Sequence, residues 1–160
     1  MKIIKELVPY VVIIVAVVLF RTYIATPVRV DGNSMNPTLQ NGQIMILNKM
    51  DKEYERMEIV VFDYKSDRLI KRVIGLPGET VKIEDNTIYI NGEAIEDYSD
   101  DVKTADYDLD MIIPEGYYFV MGDNRYDSAD SRILGLISKE KIKGSICFRL
   151  YPFMKIGGIK

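Results

Sequence analysis

Three stretches hold the residue types that bond-breaking chemistry uses. Ser34 lies in a turn, DGNSMNPTL, at 31–39. Lys71 lies in LIKRVIGLPG, at 69–78. A polar run, MGDNRYDSADSR, fills 121–132. The chain contains no histidine. A Ser-His-Asp triad, a Cys-His pair and a His-ligated metal site are therefore excluded. If Ser34 is a nucleophile, lysine is the base at hand.

A lysine base must be neutral. At an unperturbed pKa near 10.4, only about one lysine in 2,500 is neutral at pH 7. Burial in apolar surroundings lowers that pKa by several units. Lys49, Lys52 and Lys65 sit among charges, and Lys139, Lys141 and Lys143 form a solvated run. Lys71 stands apart, flanked by Leu69, Ile70, Val73 and Ile74. On a strand it shares a face with Leu69 and Val73, while Arg72 points the other way toward water. A lysine that blocks a strand edge is the alternative reading of the same residue. The run 121–132 sets Asp123, Asp127 and Asp130 against Arg125 and Arg132, enough to hold a loop rigid by charge-assisted hydrogen bonds. Ser128 or Ser131 could then meet a neighbouring amine. Read alone, the same run is a polar surface loop.

The elements around these stretches read as β. PVRVDG, GQIMILNK, EIVVFDY, RLIKRVIG, GYYFVMGD and SICFRLY are short and rich in β-branched and aromatic residues. Asn91-Gly92, between Thr87–Ile90 and Glu93–Ile95, is the strongest hairpin signal. SKEKIKG supplies at most one helical turn. The expected fold is mostly β, a sheet or barrel-like core. The acidic stretch 96–110 lacks the spacing of a Ca²⁺ loop and reads as a solvated, mobile loop. Cys147, the single cysteine, sits between Ile146 and Phe148 and reads as a small buried hydrophobe. A net charge of −3 does not suit nucleic acid. No metal and no cofactor are expected.

Ahead of the strands, 7–20 read LVPYVVIIVAVVLF without a charge. The apolar character resumes past Arg21, whose stem can snorkel, so residues 4–25 make one membrane-spanning helix that tolerates Pro9 near its start. A cleaved leader fits the length but lacks a well-placed small-x-small pair. The division is thus an anchor at 1–26 and a β-rich domain at 27–160. Charge favours an N-terminus on the cytoplasmic side only weakly.

Taken in order behind one anchor, GNSMNPTL, EIVVFDY, IKRVIGLPGETV and MGDNRYDSADSR resemble the successive boxes of bacterial type I signal peptidases. The likeness runs from the anchor to the terminal RLYPF. It implies a membrane-anchored serine endopeptidase that removes signal peptides from secretory preproteins, cutting after a small-x-small pattern. It implies Ser34 as nucleophile, Lys71 as general base and Ser128 as the hydroxyl that orients the lysine. Asp130 with Arg125 or Arg132 matches the salt bridge beside the site. The oxyanion would be held by the Ser34 N–H and a second donor. Some members carry a hydroxyl two residues before the nucleophile; Gly32 stands there, so its backbone N–H is the substitute expected. Val30, Met35, Leu39, Leu69 and Ile70 are candidate pocket residues, each equally readable as core. The implied fold adds a small β insertion at about 81–116. The implied setting is the cell membrane, crossed once, with the catalytic domain on the outer face. Preproteins and the bilayer are the expected partners; nucleic acid is not.

Three rivals share parts of this pattern. Self-cleaving repressor-type Ser/Lys proteases would carry a DNA-binding domain where the apolar helix stands. Ser-x-x-Lys enzymes are excluded locally by Pro37. An anchored β domain without activity would leave NSMNPTL and Lys71 unexplained.

Overall fold

The computed structural model describes residues 2–97 and 103–159. Helix α1 (Lys2–Tyr23) contains Pro9. Its stretch Glu6–Tyr23 is long and apolar enough to cross a membrane, and its apolar side chains are exposed. The C-terminal end of α1 is capped by a cation, since Lys49 Nζ donates to the carbonyls of Arg21 (2.8 Å) and Thr22 (3.3 Å). Such a cap satisfies carbonyls the helix leaves open and complements its dipole.

Twelve strands follow among the described residues: β1 (Ala25–Arg29), β2 (Ile44–Asn48), β3 (Ile59–Tyr64), β4 (Asp67–Gly75), β5 (Val81–Glu84), β6 (Thr87–Ile90), β7 (Glu93–Ile95), β8 (Tyr107–Asp108), β9 (Tyr117–Met121), β10 (Ile137–Ser138), β11 (Ile142–Tyr151) and β12 (Gly157–Gly158). One sheet runs β1-β2-β11-β3-β4-β9-β10, with β12 on β11. The second runs β7-β6-β5-β8 and falls within 81–116. Its hairpin turns at Asn91 and Gly92, both at positive φ, as a two-residue primed turn requires.

β3 is buried on both faces. Ile59 and Val61 join one cluster with Val30, Met35, Leu39, Met45, Leu47 and Ile146. Val60 and Phe62 join another with Tyr54, Val73, Tyr118 and Val120. A third cluster packs Val81, Ile83, Ile88 and Ile90 of the small sheet against Ile74, Phe119 and Met121.

Double burial overturns one expectation. Arg72 does not reach water; it is fully buried and forks onto Asp123 at 2.8 and 2.7 Å. Alternation puts Arg72 opposite Lys71, but both faces of β4 are covered here. Cys147 also departs from its expected burial and is exposed. The register of β11 against β2 shifts between Ile146 and Phe148, so an extra residue breaks the inward-outward alternation at Cys147. The acidic stretch 96–110 is not simply solvated. Thr104 is buried, Tyr107–Asp108 pair with β5, and Tyr107 lies against Phe119. Residues 98–102 of that stretch lie outside the described residues.

Two parts of the large sheet are left open, and they face each other. Among the described residues, β1 pairs only with β2, and β9 covers β4 only from Arg72 onward. Counting the antiparallel steps β1-β2-β11-β3-β4, β1 and β4 run in the same direction. Between them lies a groove of about 320 Å³.

Candidate active site

Ser34 sits at the end of the groove, just past β1, in a turn closed by Asn36 N–H to Asn33 O (3.0 Å) and Leu39 N–H to Met35 O (2.8 Å). Met35 and Leu39 are sunk in the core and pin the turn from below. Lys71 comes from β4, buried to 2 % exposure, and its Nζ meets Ser34 Oγ at 2.6 Å. Burial pushes the Lys71 amine down to about 8, against the opposing pull of Asp130, Asp123 and Asp127. At that value roughly one amine in ten is neutral at pH 7.

The third stretch closes over the pair. Asn124 N–H donates to Ser34 O (3.0 Å), and the Asn124 amide reaches Asn33 O (3.3 Å). A short helix, α2 (Ser131–Leu134), follows, with Asp130 as its N-cap. Burial alone would raise the Asp130 carboxyl. Two bonds from Arg132 (Nε and Nη2, both 2.9 Å) and the Gly122 N–H (3.0 Å) outweigh it and hold the carboxyl below the usual range.

The family model "Signal peptidase, peptidase S26" matches residues 3–151. The chain belongs to this family of signal peptidases. It is 41 % identical to Signal peptidase I of Bacillus licheniformis, over 90 % of this chain and 88 % of that one. It is 37 % identical to Signal peptidase IB of Staphylococcus aureus, over 93 % and 92 %. Its fold matches the crystal structure of a signal peptidase I from Enterococcus faecalis V583 with a TM-score of 0.53 and 38 % identity, over 58 % of this chain and 96 % of that one. Signal peptidases of this family are serine peptidases, hydrolases that remove signal peptides from preproteins, and the mostly β architecture behind an apolar helix fits them.

Within this signal peptidase, the expected site residues fall into place unequally. Ser34, Lys71, Val30, Met35, Leu69 and Ile70 all line the groove, beside Val28, Arg29, Asp31 and Arg68. Leu39 does not; it is core, with no exposed surface. Of the two arginines left open, Arg132 holds Asp130. Arg125 instead pairs with Asp97, bonding through Nη1 at 2.6 Å and also through Nη2. Ser128 Oγ is buried and finds no partner at hydrogen-bonding geometry among the described residues, Lys71 included, though it is near enough to Asp130 to help hold that carboxyl ionised. Gly32 is not a ready oxyanion donor, because its N–H donates to Asn41 Oδ1 (3.3 Å). The Ser34 N–H has no protein partner among the described residues.

One glycine and one buried ion pair that shape the site escaped the sequence reading. Gly122 sits where a Cβ would lie 2.2 Å from Ser128 Oγ and 2.5 Å from Ser34 O. No side chain fits between the Ser34 turn and the loop, so glycine is required there. The Arg72–Asp123 pair, with Arg72 bonds to Met57 O (2.7 Å) and Thr38 Oγ1 (3.3 Å), joins β4 to the loop and to the Ser34 turn. The adjacency Lys71-Arg72 and the acid in Gly122-Asp123 were the only hints.

Proposed function

We propose that the chain removes signal peptides through a Ser34/Lys71 dyad and an acyl-enzyme. The observation that carries this reading is the 2.6 Å contact between Ser34 Oγ and a buried lysine amine whose pKa is lowered to about 8. Neutral Lys71 accepts the Ser34 proton as Oγ attacks the scissile carbonyl. The resulting ammonium protonates the leaving amine. Lys71, neutral again, takes a proton from the water that hydrolyses the ester. The Ser34 N–H is free to donate to the oxyanion. Ser128 serves the amine once it turns from Ser34, and Asp130 with Arg132 holds that loop in place.

The groove suits an extended peptide. Its backbone pairs with the open edges of β1 and β4 and fills the gap between them, a strand-addition mode. Both edge strands run toward the dyad, and α1 joins β1 at the far end. A signal segment held beside α1 in a bilayer enters at that end, runs parallel to both strands and presents its last residues to Ser34. Val28, Val30, Met35, Leu69 and Ile70 leave shallow apolar room, which favours small side chains at alternate positions. In this reading α1 is a single span with its N-terminus in the cytoplasm. The exposed Phe153, Met154 and Ile156 near the C-terminus rest on the outer interface. The test is incubation of the detergent-solubilised chain with a preprotein. Wild type cleaves at the signal junction and Ser34→Ala does not; cleavage by Ser34→Ala refutes the dyad.

A further inference from the structure

Arg125 belongs to the loop beside Ser34 and Lys71, yet its two terminal nitrogens bond away from that pair. Its side chain is 1 % exposed. Nε donates to the Gly122 carbonyl (3.0 Å). Nη1 donates to Asp97 Oδ2 (2.6 Å) and Thr104 Oγ1 (3.2 Å), while Nη2 takes Asp97 Oδ1. Its own carbonyl accepts from Arg132 Nη2 (3.1 Å). Asp97 and Thr104 lie in the crossover between β7 and β8, on either side of 98–102. That crossover belongs to the small sheet, none of whose described residues lines the groove. Thr104 is fixed in turn by its N–H to Asn86 Oδ1 (2.6 Å).

The chain of contacts has a definite end. Arg125 fixes the Gly122 peptide. Gly122 is the residue pressed between Ser128 Oγ and the Ser34 carbonyl. Asp97 is the carboxylate that neutralises the buried guanidinium and sets its fork geometry. Without it, a buried cation must move toward water or toward the carboxylates around Lys71. Either motion shifts Gly122 and with it the spacing of Ser128, Ser34 and Lys71.

We infer that Asp97 is a positioning residue for the cleavage reaction: through Arg125 it holds the Gly122 peptide, and so couples the small β sheet to the geometry of the dyad. This rests on the Ser34/Lys71 reading and extends it to a part of the molecule outside the groove.

The experiment compares full-length, detergent-solubilised Asp97→Asn, Asp97→Glu, Thr104→Val and Ile88→Val with wild type in preprotein cleavage. Each is assayed well below its own melting midpoint. Asp97→Asn lowers kcat by roughly 10- to 100-fold, the cost expected of a small misplacement of reacting groups. KM stays within about twofold, since the groove is untouched. The acidic limb of kcat/KM is displaced, because the charges around Lys71 have moved. Asp97→Glu restores part of kcat, and Thr104→Val gives a smaller loss of the same kind. Ile88→Val trims the core of the small sheet, lowers the melting temperature and leaves kcat and the limb alone. If Asp97→Asn melts lower yet keeps kcat and the limb, Asp97 is merely structural and the inference falls. If Asp97→Asn does not fold, Thr104→Val decides, and unchanged kcat and limb overturn the idea. Ser34→Ala in the same series separates the two readings: an inactive Ser34→Ala beside a fully active Asp97→Asn removes only the coupling, and an active Ser34→Ala removes the dyad itself.

Discussion

The loop after β9 and the small four-stranded sheet touch each other but are built on opposite rules. The sheet is an ordinary amphipathic one. Val81 and Ile83 point inward, Lys82 and Glu84 point to water, and its charges pair in the open. The loop buries its charges. Asp123, Arg125 and Asp130 are all within 4 % of full burial, each paired across the sequence or with a close neighbour. Hydrophobic alternation is enough to specify the first region. The second is specified by partners, so its parts cannot be exchanged one at a time.

That contrast can be broken by substitution, and the largest effect belongs to the buried pair. Asp123→Ala leaves the Arg72 guanidinium without its counter-charge and destabilises the fold by about 3–5 kcal/mol, read as a drop in the urea midpoint. A loss below about 1 kcal/mol would show that this pair is no more than a surface bridge.

Lys71→Met works in the opposite sense. The folded protein releases the Lys71 proton near pH 8, whereas the unfolded chain keeps it until about 10.4. Between those values the unfolded state binds more protons, so wild-type stability rises with pH. The cost of burying the ammonium is greatest below pH 8 and gone above about 10.4. Lys71→Met is therefore inactive but more stable at pH 7, by up to about 3 kcal/mol, and its advantage fades as pH rises from 8 to 10. A variant that is less stable at every pH would contradict the desolvated lysine.

Gly122→Ala comes next. Its methyl collides with Ser128 and the Ser34 backbone, and kcat falls by about 100-fold; single-turnover cleavage measures it. In the small sheet, Lys82→Ala removes an exposed partner of Glu84 and changes stability by less than about 0.5 kcal/mol in thermal melts.

The same contrast governs what could be read beforehand. The Asn91-Gly92 hairpin and the strand character of the apolar runs were legible because period-two patterning and turn chemistry are local, whereas the order of strands in the sheet was not read. Lys71 was legible because a lysine among Leu69, Ile70, Val73 and Ile74 breaks a local rule. Arg72 was misread because alternation assumes one wet face, and β4 has none there. Cys147 was misread because a bulge in β11 leaves no trace in composition. Leu39 could not be told from a groove residue, since an apolar side chain in a turn serves both uses. The Arg125–Asp97 pair spans 28 residues and could not be assigned while Asp130 offered a nearer carboxylate.

The central claim is that Lys71 acts as a neutral base on Ser34. The pH dependence of kcat/KM for preprotein cleavage tests it most directly, because it reports the free enzyme's essential base. Activity should rise with pH along a limb centred near 8, where burial places the Lys71 amine. A limb near 10.4, the value of a solvated lysine, would contradict it.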